Sequence, residues 1–104
     1  MPFSNIDYQE KIAYTQKKAN KVAIGEGEHS RTTLWCVLPE QGIKPHVHAG
    51  DHIWVVMEGA GNYLNDEGAQ PIAPGQVLII PAGLSHGVEN TGSEGLVFLS
   101  ISTQ

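Results

Sequence analysis

Three of the five histidines in this chain stand within seven residues, His46-Val47-His48-Ala49-Gly50-Asp51-His52, and a fourth, His86, follows the turn Pro81-Ala82-Gly83-Leu84-Ser85. Neutral imidazole is the commonest protein ligand for divalent transition metals. Histidines gathered across short turns therefore point first to a bound metal ion. The fifth, His29, sits in the polar run Gly25-Glu26-Gly27-Glu28-His29-Ser30 and is expected to be exposed.

The elements around these residues must bring them together. Short apolar or β-branched runs end repeatedly at Gly and Pro. They predict strands over 21–24, 31–38, 46–48, 52–57, 62–64, 76–80, 87–89 and 96–101. Spacing of roughly 8–12 residues with turn signals between indicates a sandwich or barrel. No helical pattern alternates with the strands, so a parallel α/β sheet is disfavoured. Residues 1–20 are polar and irregular and are read as an N-terminal arm, with 21–104 forming one β-barrel domain. Two apart in a strand, His46 and His48 would share a face about 6–7 Å apart. The connection Ala49-Gly50-Asp51 suits a tight hairpin that places His52 beside His48 at the start of the next strand. His86 must come from another strand pair.

At this point the residues resemble the cupin superfamily. Its first motif is Gly, His-x-His, three or four residues, Glu, six residues and Gly. Gly42, His46, His48, His52 and Gly59 follow that order, with a shortened gap after Gly42 and with His52 in the glutamate position. The second motif, Gly-x5-Pro-x-Gly-x2-His-x3-Asn, is matched without a gap by Gly75, Pro81, Gly83, His86 and Asn90. The resemblance implies an all-β fold, a double-stranded β-helix or jelly-roll barrel. It carries His46, His48 and His86 over as metal ligands, and His52 by position. One divalent transition metal ion per chain is expected. Nitrogen donors favour Zn, Ni, Cu, Fe or Co, and Mn remains compatible. Four neutral imidazoles would leave the full charge of the ion at the site, predicting a centre more Lewis-acidic and harder to oxidise than one with a carboxylate. With octahedral geometry, four protein ligands leave two positions for water, O₂ or substrate, and an open position separates a catalytic site from a closed structural one.

The other chemistry-bearing residues are weaker candidates. Tyr63 is the one non-ligand residue placed to donate a proton into a barrel interior, and packing is its alternative role. Cys36 lies in an apolar strand and fits core filling better than nucleophilic catalysis. Trp35, Trp54, Met57 and Phe98 are expected in the core or lining a pocket. Ser85 beside His86 has no acid to complete a triad. Asp51 is a solvated turn residue or an acceptor for a ligand N–H.

Composition narrows the function. A net charge of −5 argues against nucleic acid as a partner. One cysteine, no membrane-length apolar run and an N-terminus unlike a signal peptide point to a cytoplasmic protein. All six basic residues, Lys11, Lys17, Lys18, Lys21, Arg31 and Lys44, precede the histidine cluster. A site built from the second half lacks the cations that clamp phosphates or carboxylates, with Arg31 and Lys44 the only ones in reach. That disfavours sugar-phosphate chemistry. The expected function is a metal-dependent, dioxygenase-like oxidoreductase acting on a small, largely uncharged molecule. A non-catalytic metal or small-molecule binding module, or a metal-dependent isomerase or lyase, is the alternative. A homodimer is expected, because an exposed edge strand needs covering and the arm is free to exchange.

Overall fold

The computed structural model describes residues 3–103, so the ends of the expected arm and barrel, residues 1–2 and 104, lie outside the described residues. Nine strands run in order: β1 (Asn20–Glu26), β2 (Ser30–Val37), β3 (Gly42–His46), β4 (His52–Glu58), β5 (Gly61–Asn65), β6 (Gly68–Ile72), β7 (Val77–Ile80), β8 (His86–Glu89) and β9 (Leu96–Thr103). They form a five-stranded sheet ordered β1-β2-β9-β4-β7 and a four-stranded sheet ordered β3-β8-β5-β6. All these pairings are antiparallel. Two antiparallel sheets closed face to face are the jelly-roll arrangement that the motifs implied. Among the described residues no helix is long and apolar enough to cross a membrane.

The main core lies between the sheets. Val37, Trp54, Val56, Ile72, Ile80, Val88, Leu96 and Phe98 are buried there together with Ala19. The apolar runs Leu34-Trp35-Cys36-Val37 and Leu96-Val97-Phe98-Leu99 do not alternate with polar residues, and such runs belong to strands covered on both faces. Their outward residues Leu34, Cys36 and Val97 form a second buried cluster under Tyr8, Ile12, Val22, Ile24, Met57 and Leu99. The arm supplies part of that cover. Asp7 caps a short 3-10 helix (Tyr8–Lys11), and the Tyr8 hydroxyl donates to Glu58 Oε2 at 2.9 Å.

Several details differ from the sequence reading. The strand expected at 46–48 instead spans Gly42–His46 and ends at the first histidine. The connection 49–51 is not a hairpin, because β3 and β4 lie in different sheets. Gly50 makes the close crossing there, since a Cβ would collide with the Thr103 carbonyl oxygen. Strand β6 escaped notice because Gly68-Ala69-Gln70-Pro71 has poor strand propensity. Its place at a sheet edge is where a proline is tolerated.

Asn90, the last residue of the second motif, braces the turn after β8. It is 1% exposed, donates to the carbonyls of Val37 (2.9 Å) and Glu94 (2.8 Å), and accepts from Gly92 N (2.9 Å). Three backbone groups depend on this amide. Asn90→Ala is expected to destabilise the protein by about 3 kcal/mol, roughly one per lost bond. Urea denaturation checks this, and an unchanged midpoint would contradict it.

Candidate metal centre

The histidines meet at the junction of the two sheets. His46 and His86 are cross-strand partners in the β3–β8 pair. His52 opens β4 in the other sheet, and His48 stands in the connection between them. The ring centroids of His46 and His48 are 4.6 Å apart, those of His46 and His86 4.8 Å, and those of His48 and His86 5.3 Å. His52 stands 4.5 Å from His48 and 4.8 Å from His86. His46, His48 and His86 bring ligand nitrogens within 4.8 Å of one another. His52 packs beside this triad and is not part of it.

Backbone contacts hold the junction. Gly83 N donates to the His48 carbonyl at 3.0 Å, and Ala82 N donates to Asp51 Oδ1 at 2.8 Å. Thr103 N donates to the Asp51 carbonyl, and Asp51 N to Thr103 Oγ1. Asp51 is a solvent-exposed residue of the connection, as expected, and its carboxylate accepts from a backbone N–H rather than from an imidazole. Its carboxylate ties the turn before His86 to the loop carrying His48. Gly83 has φ +87°, a left-handed conformation that favours glycine, and this sets the path from Pro81 into His86.

The ring tautomers follow from these contacts. Nδ1 of His46 lies 3.0 Å from the Lys44 carbonyl, and Nδ1 of His86 lies 3.0 Å from the Leu84 carbonyl. A carbonyl only accepts, so each Nδ1 carries the proton and each Nε2 keeps its lone pair. The Nε2 of His86 is buried without any hydrogen-bond partner. A buried lone pair left unpaired is costly, and it is what a ligand of an absent ion looks like. Three nitrogens bound to one ion at about 2.1 Å lie about 3.0–3.6 Å from one another, so the triad, with its ligand atoms within 4.8 Å of one another, would close by up to about 1–2 Å of side-chain movement. The residues fit a divalent transition metal.

The triad faces a cavity of about 190 Å³ whose lining includes Trp35, Ile43, His46, His48, His52, Trp54 and His86. Thr33, Ser100, Ser102 and Thr103 add hydroxyls, and Lys21 and Arg31 add positive charge. Strand register explains the assembly. On the inner face of the five-stranded sheet Arg31, Ser102 and His52 form one cross-strand row, and Thr33, Ser100 and Trp54 form the next. The expectation of a site without cations rested on the second half of the chain alone. β1 and β2 share the sheet with β4, so their inward residues line the same interior. The legible signal was the polar alternation Arg31-x-Thr33-x-Trp35. Lys44 lies outside this lining. So does Tyr63, whose hydroxyl donates to the Ser85 carbonyl at 3.3 Å while its ring packs edge-on against Trp54. Cys36 is buried in the outer cluster, and His29 is exposed beside Glu28.

Burial favours the neutral form of His48, His52 and His86. Desolvation, then repulsion from His86 and His48, pushes His52 down to about 4, with a hydrogen bond to the Gly50 backbone acting the other way. Desolvation likewise lowers His48 and His86, helped by the neighbouring histidines. A free histidine titrates near 6.5. Between that pH and about 4 the unfolded chain binds more protons than the folded one. The stability contributed by neutral His52 is therefore present above pH about 6.5 and lost as pH falls toward 4. Thermal unfolding of the metal-free protein is expected to show a lower Tm at pH 5 than at pH 7.5, by several degrees. The pH dependence should be shallower in His52→Gln. Equal slopes in the two proteins would contradict this account.

The family model of the cupin domain matches residues 33–102. The chain is 30% identical over 80 residues to an oxalate-binding protein of Thermotoga maritima, covering 73% of this chain and 66% of that one. A second curated relative, from Vibrio cholerae, is 31% identical over 83 residues, which are 78% of this chain but 18% of that much longer protein. Among solved structures, TT1209 from Thermus thermophilus superposes with a TM-score of 0.91 at 27% identity, covering 97% of each chain. The matched span contains both histidine motifs and eight of the nine strands in whole or part, and the chain belongs to the cupin family.

Proposed function

We propose that this cupin is a mononuclear metal-dependent protein in which His46, His48 and His86 hold one divalent transition metal ion, with His52, packed beside that triad, turning in as the fourth ligand. The ion would take a small organic molecule from the adjacent cavity, with dioxygenase-like oxidation as the reaction. The observation that carries the metal reading is the buried, unpartnered Nε2 of His86 beside the ligand nitrogens of His46 and His48. A bound ion supplies Lewis acidity and, where redox-active, electron transfer to O₂. The chain's own contribution is placement. The Lys44 and Leu84 carbonyls fix the His46 and His86 rings. Trp54, only 3% exposed, packs edge-on against His86 at 5.6 Å and shields it from water. The cavity, about 190 Å³ and open to solvent, is smaller than the roughly 300–1,000 Å³ of drug-sized pockets and suits a small ligand.

A second reading is a non-catalytic metal-dependent binding module. The cavity lining contains no Asp, Glu or Tyr to act as a general base beyond the histidines. The Thermotoga maritima relative is likewise a binding protein, for oxalate. The homodimer is also a proposal, supported by the exposed Val77 and Ile79 on edge strand β7.

Metal analysis of protein purified without added metal is expected to give one ion per chain. His86→Ala should weaken its retention at least a hundredfold. In His52→Glu the added negative charge should lower the reduction potential of a redox-active ion. Unchanged metal identity and potential in that variant would remove His52 from the ligand set. Oxygen uptake with enols, diketones and phenols by the Fe-, Mn- and Cu-loaded forms separates the two readings. A fully occupied site without turnover would leave the binding module.

A further inference from the structure

The inner face of the five-stranded sheet carries two cations that the metal reading does not use. Arg31 stands in the same cross-strand row as His52, separated from it by Ser102. Two strand spacings place their backbones roughly 10 Å apart. Lys21 pairs with Trp35 in the β1–β2 ladder, and its Nζ lies 5.9 Å from the Trp35 ring centroid. Both line the histidine cavity, which has no carboxylate in its lining. Among the described residues the charged partner of Arg31 is Glu26, which meets its Nε at 3.1 Å in an exposed pair. Exposed pairs of this kind are weak and exchange readily.

We infer that Arg31 and Lys21 form an anion clamp that selects a small carboxylate as the ligand of this cavity. The inference rests on the proposed role of the cavity as the ligand site. One end of the ligand faces the histidines, and its carboxylate faces the guanidinium about two strands away. A planar carboxylate matches the fork of an arginine through paired hydrogen bonds. Ser102 stands between the two ends, its hydroxyl turned to the Arg31 carbonyl, and Ser100 and Thr33 line the same face. A dication held by neutral imidazoles would add its full charge to this field, with nothing acidic in the lining to cancel it. The volume of about 190 Å³, equal to roughly six waters, suits a short mono- or dicarboxylate. This replaces the expectation of a largely uncharged substrate.

Isothermal titration of malonate into the purified protein tests the clamp, with malonamide and inorganic phosphate as comparators. Malonate is expected to bind one per chain, at least tenfold more tightly than either comparator. Arg31→Gln should weaken malonate binding tenfold or more, as expected for loss of charge-assisted hydrogen bonds. Lys21→Gln should weaken it severalfold, and Lys17→Gln, outside the cavity, should leave it unchanged. Arg31 and Lys21 are exposed, so these variants should keep the wild-type Tm. Undetectable malonate binding, equal affinity for malonate and malonamide, tighter binding of phosphate, or unaltered malonate affinity in Arg31→Gln would overturn the inference. Arg31-dependent malonate binding by a protein that takes up no metal would support the clamp and defeat the metal reading. Full metal occupancy with Arg31-independent malonate binding would defeat the clamp alone.

Discussion

The junction between the two sheets depends on a pair of loops that bond to each other. Gly83 N reaches the His48 carbonyl, and Ala82 N reaches the Asp51 carboxylate. Without these bonds His48 would sit in an untethered connection, and His86 would follow a turn with no fixed distance from it. With them, His48 of the connection meets His46 and His86 of the smaller sheet, and His52 of the larger sheet packs beside the three. The ladder pairings of His46 with His86 and of His52 with Ser102 then set the remaining two rings. Placing histidines on strand ends, and tying the one loop histidine down, gives the precision a coordination site would require.

The same arrangement costs stability. Imidazoles are packed closely enough that burial and mutual repulsion hold them neutral. The Nε2 of His86 and the Nε1 of Trp54 are buried without partners. Such groups persist when the rest of the fold over-determines them. Here the two-sided burial of β2 and β9 does so, with the main core on one face and the arm-covered cluster on the other. The central strands of the larger sheet therefore stabilise the barrel. Its inner face near the start of β4 is left free to be polar.

The cavity joins two chemistries along a single sheet face. One end presents soft, neutral nitrogen donors. The other presents fixed positive charge on β1 and β2. A molecule bridging them would experience both, and the hydroxyl-bearing residues between add polarity without adding charge. Trp54 divides this polar chamber from the apolar core. Its ring centroid lies 4.6 Å from that of Phe98, and it meets His86 as well. Its position accounts for the sharp change from hydrophobic packing to ligand chemistry within one strand.

The sequence by itself determined the fold class and most of the histidine cluster. Glycine and proline impose local backbone conformations, so the run from Gly75 to Asn90 was legible without tertiary information. The β-branched runs of β2, β4, β7 and β9 were equally legible, since period and propensity are local. What only the tertiary structure decided was everything that depends on which strands become neighbours. Sequence spacing suggested a hairpin at Ala49-Gly50-Asp51, but the chain crosses between sheets there, and no local signal distinguishes the two. Asp51, Arg31 and Lys21 acquired their roles from partners more than twenty residues away or from a shared sheet face. Non-local strand pairing fixes those distances, and an isolated stretch of sequence carries no record of it.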